Sequence, residues 1–172
     1  MKHKRAESDS LPFETGIFDS CRSERLFQHL SDPAATSAEM VRVTKPGGLV
    51  ALLDTDWGSA SFDTTENDIE RRLARVHADL AANNGYAGRQ LYRLVKQQKL
   101  VDVKIEVYSN WSTNYAFTRE VTLLPEVERI AIQAGIVTEE EVARLRAECE
   151  QADAEGLFFG CANQILAVGR KA

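Results

Sequence analysis

The 172-residue sequence has few cysteines and no pattern that pairs them. Cys21, Cys149 and Cys161 are odd in number, and no two form a CxxC unit. That argues against a disulfide framework and for reduced thiols, as in a cytoplasmic protein. His3 and His77 have no partners at ligand spacing, so no metal site is expected. No uncharged apolar run approaches the length of a membrane span. The basic start, Lys2 to Arg5, is followed by no apolar stretch, so it does not read as a secretory signal. Positive charge is also scarce: 21 Lys and Arg stand against 26 Asp and Glu, a formal net charge of −5. A broad nucleic-acid-binding surface is therefore not expected. Repeats and linkers are missing too, so no internal domain boundary is expected.

What remains is an ordinary globular composition, with 44% hydrophobic and 27% charged residues. We read residues 1–10 as a flexible start and 11–172 as one domain. A short buried strand is predicted over about 17–22. Asp32-Pro33 starts a helix, because the carboxylate can cap free N–H groups and proline suits the first helical position. Lys45-Pro46-Gly47-Gly48 ends it. Leu49 to Leu53 reads as a strand covered on both faces, ending in the loop Asp54-Thr55-Asp56-Trp57-Gly58. Ile69, Leu73, Val76 and Leu80 recur at helical spacing. A second helix carries Leu91, Leu94 and Val95. Val101, Val103, Ile105 and Val107 alternate with polar residues, as in a half-buried strand near a sheet edge. A helix from near Pro125 to Gly135 and another opened by the Thr138–Glu141 capping-box spacing follow. Ile165 to Val168 forms a last strand. The order predicts an α/β fold with a mainly parallel sheet, whose ligands sit at the carboxyl ends of the strands.

The sequence resembles the class I S-adenosylmethionine-dependent methyltransferases, in particular the methyltransferase type 11 group. The resemblance rests on Leu11-Pro12-Phe13, Phe18-Asp19 and the run Glu24 to Pro33. It continues through Glu39 to Gly48, whose Arg42-Val43-x-x-Pro46-Gly47-Gly48 is its most specific piece, and Asp54 to Trp57. Gly88-Arg89-Gln90-Leu91 and Val168-Gly169-Arg170-Lys171 extend it. The fold it implies is a partial doubly wound, Rossmann-like sheet of about four strands with helices on both faces. A helical insertion near 117–155 would shape the acceptor site. The implied cofactor is S-adenosylmethionine, and the implied partner is a small-molecule methyl acceptor.

One departure matters. The family's glycine-rich loop after its first strand, and the acidic residue after its second, have no counterpart here. No strand–glycine loop–helix occurs. The chain therefore reads as N-terminally truncated, lacking the first three strands. The strand near 17–22 would then be an edge that a second copy or a partner chain should cover.

Candidate residues follow from this frame. His29 and Asp56 are candidate catalytic groups, as base or substrate-positioning side chains. Asp54 and Asp56, two apart, would project to one side of an extended strand; they could raise one another's pKa or cap a turn. Glu24, Arg25, Gln28, Asp54 and Trp57 are candidate substrate-binding residues, with Trp57 as an aromatic wall. The resemblance places Glu7 and Arg22 toward the cofactor. Trp111, Tyr115, Phe158 and Phe159 read as core. Two functions from different classes remain: the acceptor-side half of a methyltransferase, not catalytic alone, or a methyltransferase-like binding module without cofactor.

Overall fold

A computed structural model describes residues 4–172. Strand β1 (Phe18–Glu24) pairs in parallel with β2 (Thr44–Phe62). Strand β4 (Gly160–Arg170) runs antiparallel to both β2 and β3 (Val101–Ser112), so the sheet order is β1-β2-β4-β3. The sheet is mixed: one of three pairings is parallel, where the alternation of elements predicts a mainly parallel sheet. The reason lies in the connections. Helix α1 (Pro33–Val43) carries the chain across from β1 to β2, whereas β4 returns between two strands already laid down in the opposite direction.

Helix α1 begins as its sequence predicts. The Asp32 carboxylate accepts from the Ala35 N–H at 2.9 Å, and Pro33 is the first helical residue. At the other end, Lys171 Nζ donates to the carbonyls of Val41, Arg42 and Thr44. Those are the acceptors a helix end leaves free. Pro46-Gly47-Gly48 does not stop the following strand. Residues 45–48 are accommodated as a bulge in β2, where the register jumps between Phe18↔Thr44 and Ser20↔Leu49. Gly47 has φ +77°, and a Cβ on Gly48 would lie 2.6 Å from the Thr44 side chain and 2.7 Å from the Asp19 carbonyl oxygen. Arg42 pairs with Glu39 and donates to the carbonyls of Phe13 and Leu11. The most specific part of the motif thus has a structural job.

The start of the chain is less free than expected. Lys4 Nζ donates to the Pro12 carbonyl, and the hydroxyls of Ser8 and Thr36 are 2.9 Å apart. Residues 1–3 of the expected flexible start lie outside the described residues.

On one face of the sheet, Val50 and Leu52 of β2 and Ala167 of β4 are sealed by α1 and by α3 (Ala87–Gln97), through Met40, Leu91, Leu94 and Val95. Gly88 lets α3 ride directly on β2: a Cβ there would come 2.9 Å from the Asp54 carbonyl oxygen and the Asp56 nitrogen. The opposite face is less covered. Leu49 is exposed, and Ala51, Leu53, Leu166 and Val168 are half-buried. The run 49–53 is therefore fully buried only at alternate residues, not on both faces. β1 is an edge strand, and its residues are half-buried or exposed rather than buried. β3 forms the other edge, where Ile105 and Val107 stay largely exposed.

A second core lies beyond the carboxyl end of β2. It packs α2 (Asn67–Val76), α4 (Tyr115–Val121), α5 (Leu124–Gln133) and α6 (Glu139–Ala154) around Leu73, Tyr115, Val127, Leu145 and Phe158. The Thr138–Glu141 capping box opens α6 in both directions. Buried Glu128 is clamped by Arg119 at 2.8 Å and Arg146 at 2.7 Å. Helix α2 passes into a single π-helical turn, His77–Ala81.

Candidate functional site

The carboxyl ends of β1, β2 and β3 share one edge of the sheet, and two different environments meet there. On the side facing α3, polar groups are tied to one another. After β1 the chain takes a left-handed step at Arg25, φ +52°, whose N–H donates to the Leu53 carbonyl at 2.9 Å. A short 3-10 turn, Phe27–His29, follows. The fully buried Asp54 carboxylate accepts from the N–H groups of Phe27 (2.6 Å), Gln28 (3.3 Å) and Thr55 (2.9 Å). Burial raises its pKa, and those three N–H groups oppose the rise. Asp54 is thus a cap for the turn, and desolvation rather than repulsion from Asp56 is the leading cause of its shift.

Asp56 does project to the same side. Its Oδ2 accepts from Arg89 Nε at 2.7 Å, and Arg89 lies over the Tyr86 ring. Its Oδ1 is buried without a hydrogen-bond partner. The strand does not end in a loop at Asp54–Gly58, as predicted. It continues to Phe62 through a wide bulge, with the pairing lost between Asp56 and Ser61. That bulge swings Trp57 between the two environments. Its indole N–H donates to Gln28 Oε1 at 2.7 Å, and its ring stacks on His77 at 4.2 Å. His77 is buried, and burial pulls its pKa down to about 4.

On the other side lies a cleft of about 460 Å³ between the sheet and α4. It is lined by Thr55, Trp57, Ala60 and Phe62 of β2, Cys161, Ala162 and Gln164 of β4, and residues 109–112 of β3. Phe117, Thr118, Val121 and Thr122 close it from α4 and the residue after it, and Arg25 stands at its margin. Trp111, expected in the core, is 67% exposed, and Phe117 is 55% exposed. Tyr115 and Phe158 are core residues as expected, while Phe159 is largely exposed.

Of the residues singled out in the sequence, Arg25 and Trp57 line this cleft. Gln28, Asp54 and Asp56 stand behind it in the buried network. His29 is exposed, and its carbonyl accepts from Asn83. Arg22 and Glu24 are exposed on β1, and Glu7 is exposed in the segment beside α1, bridged to Ser10. The sequence reading missed Trp111, Phe117, Cys161 and Gln164. The available signal was the polar run Ser109-Asn110-Trp111-Ser112, which sets a lone aromatic among hydrogen-bonding side chains at the end of an alternating strand.

A model of the methyltransferase domain matches residues 1–52. An uncharacterized methyltransferase of Schizosaccharomyces pombe is 31% identical over 170 residues, which cover 91% of this chain and 60% of the relative. An uncharacterized protein of transposon TN4556 in Streptomyces fradiae is 40% identical over 85 residues, 49% of this chain and 25% of that one. Among solved structures, YcgJ of Bacillus subtilis aligns over 98% of this chain and 70% of its own, with a TM-score of 0.60 at 19% identity. A candidate methyltransferase of Bacillus halodurans aligns over 97% and 70%, with a TM-score of 0.57 at 16% identity. Sequence and fold agree in direction: residues 1–52 match the methyltransferase domain, most of the chain is similar to the yeast relative, and the fold is that of the two solved structures. The chain spans 25% and 60% of the lengths of the two curated relatives named.

The family implies an S-adenosylmethionine-type cofactor, and the described residues do not make a cradle for it. Among the described residues, no glycine turn lies between a parallel strand and a helix. After β1, the N–H groups of Arg25, Phe27 and Gln28 are already bonded to Leu53 and Asp54. No group of three His, Cys, Asp or Glu among the described residues could hold a metal ion, and none of their helices is long and apolar enough to cross a membrane.

Proposed function

We propose that this chain forms the acceptor side of an S-adenosylmethionine-dependent methyltransferase acting on a small molecule, and that it does not methylate alone. The observation that carries the reading is the cleft at the carboxyl ends of the strands, where open α/β sheets bind ligands. Its size suits a small organic molecule. Its walls join rings with neutral hydrogen-bonding groups, the usual means of orienting an acceptor. In this reading Trp57 and Arg25 contact the acceptor. Asp54, Gln28 and Asp56 hold those elements in place, with no proton-transfer role. A second copy of the chain or a partner chain pairs with the free edge of β1, in a cytoplasmic setting.

A second reading is a binding module that takes a small molecule and no cofactor. The N–H groups of Arg25, Phe27 and Gln28 after β1, engaged within the protein, favour it. Calorimetric titration of S-adenosylhomocysteine into the purified chain, with sedimentation of the same sample, tests both parts. The expected result is no heat at millimolar ligand and a particle heavier than one 19.2 kDa chain. Saturable binding by the chain alone would overturn the claim that it needs another chain. A strict monomer would overturn the claim that β1 is covered.

A further inference from the structure

The chemistry of the cleft walls narrows its ligand. Arg25 is the one charged residue among those lining it, and no acidic side chain joins it there. Its backbone is fixed on both sides: the N–H donates to Leu53, and the carbonyl accepts from Gln28 Nε2 at 3.4 Å. The guanidinium is thus carried at the margin from an anchored base. Facing it are four aromatic rings of unequal standing. Trp57 and Phe62 belong to the packed wall, whereas Trp111 and Phe117 reach into the opening with more than half their surface bare. Large bare rings gathered at one concave site mark a place where apolar ligand surface is buried. Thr55 and Gln164 also line the cleft, and the Gln164 amide donates to the Thr55 hydroxyl at 3.5 Å.

Resting on the acceptor reading of this cleft, we propose that its ligand is a ring-bearing organic monoanion. Its flat apolar body stacks between Trp57, Trp111 and Phe117, and its carboxylate or phenolate meets Arg25. Two alternatives fit less well. Aromatic walls alone would also suit an ammonium ligand through cation–π attraction, but Arg25 repels a cation. A diphosphate carries more charge than one guanidinium can offset, and no nest of free backbone N–H groups lines the wall to help.

Three probes with one ring system and different charge decide the matter: 2-naphthoate, 2-naphthamide and 2-naphthylmethylammonium. Calorimetry on the intact chain gives the dissociation constant of each. The naphthoate is expected to bind about five- to tenfold more tightly than the amide, as one charge-assisted hydrogen bond predicts. The ammonium is expected to be the weakest. Arg25→Asn, a residue that tolerates the left-handed backbone, should bring the naphthoate to the amide's affinity and leave the amide unchanged. Trp111→Ala should weaken naphthoate and amide alike. Equal affinity for the three probes, or a naphthoate constant unmoved by Arg25→Asn, would overturn the anion proposal while leaving the acceptor cleft in place. Failure of every probe to bind would overturn both.

Discussion

On the α3 side of the carboxyl end of β2, Asp54, Asp56, Gln28 and Trp57 are held by the turn after β1, by Arg89 and by His77. On the other side, a few ångströms of backbone away, Thr55, Gln164 and Arg25 stand among bare rings. The acidic residues that look most chemical in the sequence are tied to the fold, with only Asp56 Oδ1 left without a partner. A buried carboxylate accepting three backbone N–H groups is a scaffold, since those bonds tie it to the turn and favour its charged form. The side with weaker polar signals holds the bare rings of Trp111 and Phe117 and the charge of Arg25. Density of acidic residues is thus a poorer guide to a binding site than bare aromatic surface gathered beside a charge.

Four substitutions test that contrast, beginning with the largest effect. Asp54→Ala strands three buried N–H groups and should cost about 4 kcal/mol of stability, read from urea unfolding at pH 7. A loss below about 1 kcal/mol would show that the turn does not depend on it. Next comes acid. The His77 pKa is depressed to about 4 from an ordinary 6.5, so the unfolded chain takes up the proton first as pH falls. Its share of stability is complete above 6.5, declines as pH falls from 6.5 to 4, and amounts to about 3 kcal/mol. His77→Phe keeps the stacked ring and should flatten the stability profile across that window. An unchanged slope would mean that another group sets it. The smallest effect belongs to the cleft. Trp111→Ala and Phe117→Ala should each shift stability by less than about 0.5 kcal/mol, because most of each ring is already in water. A loss above 2 kcal/mol from either would place it in the core after all.

Much of the scaffold is legible in the sequence, because short-range rules set it. Asp32-Pro33, the Thr138–Glu141 box and the alternation from Val101 to Val107 each place an element close to where it lies. Strand direction is not local. Nothing in residues 160–170 records that β4 will slip between β2 and β3, so the mixed sheet could not be read. The bulges at 45–48 and 57–60 escaped for a related reason. A glycine or tryptophan in an extended run looks like an ending unless the partner strand is known. The cleft needed both facts, since the β2 bulge and the return of β4 together bring Trp57, Cys161 and Trp111 to one wall. The reading of Trp111 as core followed average burial of aromatic residues, which carries no information about a sheet edge.

The position of β4 also governs the order in which this sheet can assemble. During synthesis β1, α1, β2 and β3 are all made before residues 160–170. Until then β3 has no strand to bond to and one side of β2 is open, so unsatisfied edges coexist in the nascent chain. Closing them requires contacts such as Leu49↔Arg170 and Leu53↔Leu166, each spanning more than a hundred residues. Such long-range closure is slow, and exposed edges invite wrong pairing while it is awaited. The latest-made of these four strands thus acts as the latch of the sheet, and a chain halted before residue 160 leaves β3 unpaired.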